Sequence, residues 1–361
     1  MATPRARVII AMSGGVDSSV AAALLSDRGF ETIGVTLHLW DYPDDGSVKG
    51  RCCAPEDQHD ARRVADHLGI AHYAFDRREL FAREVVAPFV DGYLGGDTPS
   101  PCVACNRGPK LRELFALADR LGADLVATGH YARTGVDEVG PCLMRARDTA
   151  KDQSYFLHHL TRAEIARMRF PLGDLTKAEV RALAVARGLP GATKGESQEL
   201  CFVPEGRYDA FVDARATGRV RPGPILGADG ATVGRHGGVH GFTIGQRKGI
   251  GVALGKPAFV VDIDGATGSV QLGDERDLLS SEITAEDARF LDGLPSDLRA
   301  TVRVRARHDG EQAAVSFDGD GHMRVRFDRP VRAVARGQFA VAYDGERVLG
   351  GAKIVATERA S

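Results

Sequence analysis

The cysteines and one glycine-serine loop are the parts of this sequence that could do chemistry. Six cysteines occur in the 361 residues, Cys52, Cys53, Cys102, Cys105, Cys142 and Cys201, and none lies beyond them. Cys102 and Cys105 form a Cys-x-x-Cys pair, while Cys201 stands beside Phe202 and Val203. Two thiols can divide the work of moving sulfur, one carrying it as a persulfide and the other attacking or resolving the resulting bond. Redox pairs and half zinc sites share the Cys-x-x-Cys spacing, and Cys201 alone reads equally as a buried core cysteine. Cys52 and Cys53 are adjacent and cannot share a strand face, and Cys142 follows Pro141, so structural roles are expected for these three.

The second chemical feature is Ser13-Gly14-Gly15-Val16-Asp17-Ser18-Ser19, which follows Ala11 and Met12 at the end of an apolar run and opens a helical pattern. Glycines let backbone N–H groups close around an anion, and the helix amino terminus adds partial positive charge. Such a loop suits phosphate. It lacks the lysine of a kinase- or GTPase-type P-loop, which argues against those enzymes. An ordinary strand-to-helix turn capped by Ser and Asp is the bland alternative.

The Ser13 to Ser18 string resembles the PP-loop of the ATP pyrophosphatases, which adenylate a carbonyl oxygen and release pyrophosphate. The resemblance implies that Ala11 to Ser19 bind ATP. Ser13, Gly15, Asp17, Ser18 and Ser19 would hold the pyrophosphate, with Asp17 the partner for Mg2+. By the same resemblance Leu37 and Gly129 would flank the adenine.

Further strings narrow the family. Thr98-Pro99-Ser100-Pro101-Cys102-Val103-Ala104-Cys105-Asn106, the stretch from Gly195 to Cys201-Phe202, Gly129-His130-Tyr131, Lys151-Asp152-Gln153-Ser154-Tyr155-Phe156-Leu157 and Gly241-Phe242-Thr243-Ile244-Gly245-Gln246-Arg247-Lys248-Gly249 resemble the bacterial tRNA-specific 2-thiouridylases. These matches run from Val8 to the Gly350-Gly351 pair. They imply replacement of the 2-oxygen of the wobble uridine by sulfur in tRNAs of the lysine, glutamate and glutamine type.

By that resemblance Cys201 carries the persulfide, Cys105 is the nucleophile, and Ser100, Pro101 and Cys102 border the flipped base. His130, Lys151, Asp152 and Gln153 would meet the anticodon arm, and Arg305, Ala306 and Gln338 would touch tRNA elsewhere. A sulfur-relay protein or a cysteine desulfurase would supply the sulfur. One residue departs from the pattern, because Cys102 stands where the better-known members carry Asp. Cys102, Cys105 and Cys201 would then give three ligands of a 4Fe-4S cluster with one iron open to hydrosulfide. Persulfide and cluster use the same thiols, and both readings stand at this point. Other PP-loop enzymes, a 4-thiouridine synthase or an amidotransferase-type synthetase, and a non-catalytic tRNA-binding protein are the alternatives.

The elements that must position these residues are legible from periodicity. Val8–Met12, Thr32–Leu39, His72–Phe75 and Asp124–Thr128 read as strands, while Val16–Arg28, Pro55–Leu68, Glu79–Tyr93 and Lys110–Leu121 read as helices. That alternation predicts an α/β fold with a parallel sheet, whose ligands bind at the carboxyl ends of the strands. A helical annex follows from Thr161 to Gly188. The expected division is a catalytic domain over 1–205, a β-rich connector over 206–280 and a tRNA-binding β-barrel over 281–361. Formal charge is −2, from 47 basic and 49 acidic residues, which gives no global sign of an RNA partner. Local pattern does: Arg303, Arg305 and Arg307 alternate with Val302, Val304 and Ala306 along an expected strand, and Arg324 and Arg326 repeat the device. No run reaches the ~18 apolar residues of a membrane span, and a cytoplasmic protein is expected.

Overall fold

In the computed structural model, which describes residues 6–41, 55–195, 200–203, 207–253, 255–294, 297–318 and 321–360, the first apolar run is a strand buried on both faces. Cys52 and Cys53 lie outside the described residues. Val8, Ile9 and Ile10 are all fully buried, as a central parallel strand requires. This strand, β1 (Arg7–Ala11), pairs in parallel with β2 (Glu31–His38) on one side and β4 (Leu125–Ala127) on the other. β3 (Ala71–Asp76) extends the sheet beyond β2, and the two-residue strand Met168–Arg169 extends it beyond β4. Parallel neighbours need crossover connections. Helix α1 (Val16–Asp27) makes the first and α2 (Pro55–Leu68) the second, and both pack into a core with Val8, Ile10 and Val180. Because β2 and β4 leave β1 in opposite directions, the sheet has its switch point between β1 and β4.

The expected elements are present within a few residues, but Glu79–Tyr93 is three pieces: an α turn, a π turn over Ala82–Val86, and a helix over Ala87–Leu94. The chain divides into two units. One holds Met1–Val85, Cys102–Gly206 and Glu346–Val348, and the other holds Val86–Pro101, Arg207–Gly345 and Leu349–Ser361.

The second unit contains two sheets. Strands Phe259–Asp264, Ser269–Gly273, Gly223–Leu226 and Thr232–His236 form a four-stranded sheet over Ile225, Val260, Val270 and Leu272. The other is a closed antiparallel barrel of six strands in the order Leu279–Phe290, Met323–Arg332, Glu311–Phe317, Asp297–Arg303, Phe339–Asp344 and Arg347–Arg359, the last pairing with the first. Closure removes the sheet edges. Met323, Val325 and Phe327 point into its core and Arg324 and Arg326 point out, as the alternation predicts.

The expected strand over Thr301–Arg307 is corrected. The strand ends at Arg303, and residues 304 to 307 turn. Arg303 is 5% exposed, and its Nε donates to the His308 carbonyl at 2.7 Å while a terminal nitrogen donates to the Ala306 carbonyl. A guanidinium carries five donors, enough to satisfy the carbonyls that the turn leaves open. Arg305 donates to the Arg332 carbonyl at 3.2 Å, so the three arginines share no strand face.

In the first unit, the hairpin Arg133–Val136 and Pro141–Met144 is held by a three-way ion cluster. Arg162 grips Asp137 through two hydrogen bonds of 3.0 Å, and Arg347 adds a third at 2.8 Å. These arginines hold the Asp137 carboxyl well below the usual carboxylate range. A depressed carboxylate stabilises the fold above its unfolded pKa of about 4, and the contribution is lost as pH falls further. Asp137→Ala, which removes the shared carboxylate from two half-buried guanidiniums, is expected to cost about 1–3 kcal/mol at pH 7 in denaturant melts. The gap to wild type should close as pH falls from about 4 towards 2.

Candidate active site

The loop after β1 is arranged to receive an anion. Gly15 is the N-cap of α1 in extended conformation, and no side chain caps the helix. The first-turn N–H groups of α1 therefore point at whatever occupies the loop. The serines stabilise the loop from within: Ser18 Oγ accepts from the Ser13 amide at 3.2 Å and donates to the Gly15 carbonyl at 3.0 Å, and Ser19 Oγ donates to the same carbonyl at 3.0 Å. Gly14 has φ +72°, and a Cβ there would lie 2.2 Å from the Asp57 carbonyl oxygen. Only glycine fits.

A cation missing from the loop's own sequence arrives from elsewhere. Lys177 Nζ donates to both carboxylate oxygens of Asp17 at 2.7 Å, and Tyr131 Oη donates to Asp17 Oδ1 at 2.9 Å. Lys177 is the first residue of the helix Lys177–Ala186, fixed by a capping box of Thr176 and Glu179 and by its own amide donating to Asp148 at 2.9 Å. Tyr131 is held from behind by Gln153, whose Oε1 accepts from the Tyr131 amide at 2.9 Å and whose amide donates to the Tyr131 carbonyl at 2.8 Å. Gly129 lies against the first turn of α1, where a Cβ would come within 3.0 Å of the Ser18 nitrogen. Leu37 is buried near the end of β2. Ala11 to Ser19, Asp17 among them, and Gly129 are thus brought to one end of β1 and β4.

The thiols belong to the same unit. Cys102 and Cys105 share the short helix Pro101–Cys105, which Ser100 precedes and which runs into a π turn over Asn106–Lys110. Burial first, then Cys105, pushes the Cys102 thiol up to about 11, with Lys110 opposing the shift. It is protonated at neutral pH and a poor nucleophile. Lys110 also acts on His130, which burial chiefly, aided by Lys110 and His159, drives well below the ordinary histidine range. His130 is thus neutral, with Nδ1 2.8 Å from Thr128 Oγ1.

Cys201 is half-buried, while Phe202 and Val203 take the core positions beside it; Phe202 packs edge-on against Phe81 at 5.5 Å. Lys194 pairs with Asp57 and, at 3.0 Å, with Asp60 on α2. Cys142 packs in the core. Among the described residues no three Cys, His, Asp or Glu side chains are grouped to hold a metal, so Cys102, Cys105 and Cys201 are not drawn together as a trio.

Several residues expected at the RNA are engaged inside the protein. The Asp152 carboxylate accepts from the Ala146 amide at 3.1 Å and the Ser154 amide and hydroxyl at 3.2 and 3.0 Å, and pairs with Arg145. Gln338 Nε2 donates to the Thr98 carbonyl at 2.8 Å, and the Ala306 carbonyl accepts from Arg303. Lys151 is partly exposed, and Arg305 is exposed. Lys177, Tyr131 and Lys110 escaped sequence reading. Tyr131 stood in the Gly129-His130-Tyr131 string, and the Thr176-x-x-Glu179 box marked the helix start at Lys177, but only the tertiary fold brings either to Asp17.

The sequence is similar to those of known proteins. Family models described as the tRNA methyl transferase HUP domain, the tRNA methyl transferase PRC-barrel domain and the aminomethyltransferase beta-barrel domain match residues 6–205, 210–274 and 280–354. A protein named tRNA-specific 2-thiouridylase MnmA from Sorangium cellulosum is 64% identical over 98% of this chain and 93% of its own. Proteins of the same name from Moorella thermoacetica and Chloroflexus aggregans are 48% and 47% identical, each over at least 96% of both chains.

The ion pair at the loop is testable with pyrophosphate itself. Lys177→Met leaves Asp17 to repel the anion, and pyrophosphate affinity measured by calorimetry should fall about tenfold or more. Tyr131→Phe, which removes a neutral donor, should cost less.

Proposed function

The chain belongs to the tRNA-specific 2-thiouridylase family, and on that premise we propose that it replaces the 2-oxygen of a tRNA uridine by sulfur at the expense of ATP. The observation that carries the reading is the uncapped amino end of α1 at the switch point of the parallel sheet, with Asp17 beneath Lys177. The family-model descriptions speak of methyl transfer, whereas the full-length relatives are named for thiolation. A pyrophosphate cradle with thiols in the same unit suits the latter.

A uridine carbonyl oxygen is a poor leaving group until it is adenylated. Uridine O2 attacks the α-phosphorus, and pyrophosphate leaves into the loop formed by Ser13 to Ser19, where helix N–H groups and Lys177 offset its charge. Asp17 suits Mg2+, which uses single carboxylates together with substrate phosphate oxygens and would share the charge there. Cys201 then delivers the terminal sulfur of a persulfide to C2, and AMP departs with the C2–O bonding pair. Cys105 attacks the Cys201 sulfur, which leaves the thiocarbonyl on the base and a Cys105–Cys201 disulfide for an external thiol to reduce. The thiols as arranged do not fit an iron–sulfur cluster, because among the described residues no three Cys, His, Asp or Glu side chains are grouped to hold a metal. The persulfide route is preferred on that ground.

The finer assignments belong to the same proposal. The target is the wobble uridine, and a sulfur-relay protein or a cysteine desulfurase supplies the persulfide sulfur. Residues 1–205 form the catalytic domain, 206–280 the connector and 281–361 the barrel that grips the anticodon arm. His130, Lys151, Arg305 and the Ser100 to Cys102 segment remain candidates for RNA contact, whereas Asp152, Gln153 and Gln338 act through the chain they hold in place.

Nucleoside analysis after incubation with ATP, a sulfur donor and unmodified tRNA is expected to yield 2-thiouridine; sulfur at the 4-position, or none, overturns the reading. Cys201→Ser and Cys105→Ser should each abolish 2-thiouridine while leaving single-turnover, tRNA-dependent pyrophosphate release within about threefold of wild type, because adenylation precedes the thiol steps. Iron-dependent thiolation by anaerobically purified enzyme would restore the cluster.

A further inference from the structure

The residue after the nucleophile carries a polar atom that the protein itself does not use. Asn106 is 3% exposed. Its Nδ2 donates to the Cys102 carbonyl at 3.0 Å, and because a carbonyl only accepts, this bond fixes which end of the amide is nitrogen. The other end, Oδ1, is buried and has no hydrogen-bond partner among the described residues. A buried acceptor without a donor costs stability, and functional sites are where such a group is kept. The backbone is unusual at the same point. The helix carrying Cys102 and Cys105 changes to a π turn at Asn106, where the Leu111 amide donates to the Asn106 carbonyl, and Pro109 inside the turn offers no N–H. Single π turns of this kind recur where a helix must aim a functional side chain.

We propose that Asn106 reads the target base, its Oδ1 accepting the N3–H of uracil. The inference rests on the 2-thiouridylase reading above. Uracil N3–H adjoins C2, the carbon that exchanges oxygen for sulfur, so one hydrogen bond from the neighbour of Cys105 fixes the reacting carbon relative to that thiol. Cytosine presents a lone pair at N3 and would meet Oδ1 with repulsion, which selects uridine. The surroundings agree: Cys102 is protonated and His130 neutral, so neither offers a charge that would compete for the base edge.

The same bond assists the chemistry. In adenylation the O2–P bond forms and the bond from phosphorus to the bridging oxygen breaks, pyrophosphate leaving with the electron pair. The ring acquires positive charge as long as the N3 proton stays. An acceptor on N3–H binds that cationic ring more strongly than neutral uracil, and retention of the proton keeps C2 electrophilic until sulfur arrives and AMP departs.

The test uses the full-length enzyme with ATP, a sulfur donor and an anticodon stem-loop with either uridine or 3-methyluridine at the target, following RNA-dependent pyrophosphate release. Wild type should lose about tenfold or more on 3-methyluridine, the loss of one bond to a buried acceptor. Asn106→Ala should lose a similar factor on uridine, while its penalty for the methyl group shrinks to about threefold or less, since enzyme and substrate changes remove the same bond. Asn106→Asp, which keeps an acceptor oxygen but not the amide donor, should retain the methyl penalty. If Asn106 only braces the Cys102 carbonyl, Asp and Ala variants behave alike and the proposal falls. Equal wild-type rates on the two substrates overturn it without any variant. Absence of 2-thiouridine from the unmethylated substrate would instead overturn the parent reading.

Discussion

Close approach of backbone to the first turn of α1 is the constraint on which the catalytic end depends. Two glycines make it feasible. At Gly14 a side chain would run into the Asp57 carbonyl, and at Gly129 one would press on Asp17 and Ser18. With these contacts made, the segment after β4 lies on the phosphate loop, and Tyr131 can reach Asp17. Asp57 in turn pairs with Lys194. Gly14 and Lys194 therefore meet the same residue of α2. A methyl group at Gly14 would strain the loop through its positive φ and disturb α2 at once.

The legible part of the molecule was the part written in periodicity and in local strings. β1 and α1 followed from an apolar run meeting a glycine-serine turn, and the alternation of Met323, Val325 and Phe327 with arginines gave both faces of one barrel strand. The reading failed where an arginine's local pattern said surface and its tertiary neighbours said otherwise. Arg303 looked like one tooth of a basic comb; its guanidinium satisfies two turn carbonyls instead, a use that no spacing rule encodes. Lys177 failed in the opposite direction. It lies 160 residues from its partner Asp17, and nothing local distinguishes it from any lysine that opens a helix.

Charge balance has a similar explanation. A chain with net charge −2 can bind polyanions if its basic groups are unevenly spent. On the barrel, Arg299 is paired with Asp328, Arg329 with Glu311 and Arg332 with Glu275. Arg324 and Arg326 on the strand between them face outward with no ion pair among the described residues. Exposed pairs contribute little to stability and are screened by salt, so a phosphate backbone can compete for several of these guanidiniums as well. The count of arginines matters less than how firmly each is held.

The two halves of the reaction ask for opposite environments, and the first unit supplies both. Pyrophosphate departure needs positive potential, which the end of α1 and Lys177 provide. Attack by a neutral uracil oxygen needs a site without a competing anion. On the proposed assignment of Cys102 to the base, a carboxylate at position 102 would place a negative charge there whenever it ionised; the thiol of Cys102, driven upward by burial, stays neutral through the same pH range. Its proton is therefore available for donation, and its sulfur stays out of competition with Cys105, the proposed nucleophile. A cysteine at this position is thus a silent neighbour where a carboxylate would titrate.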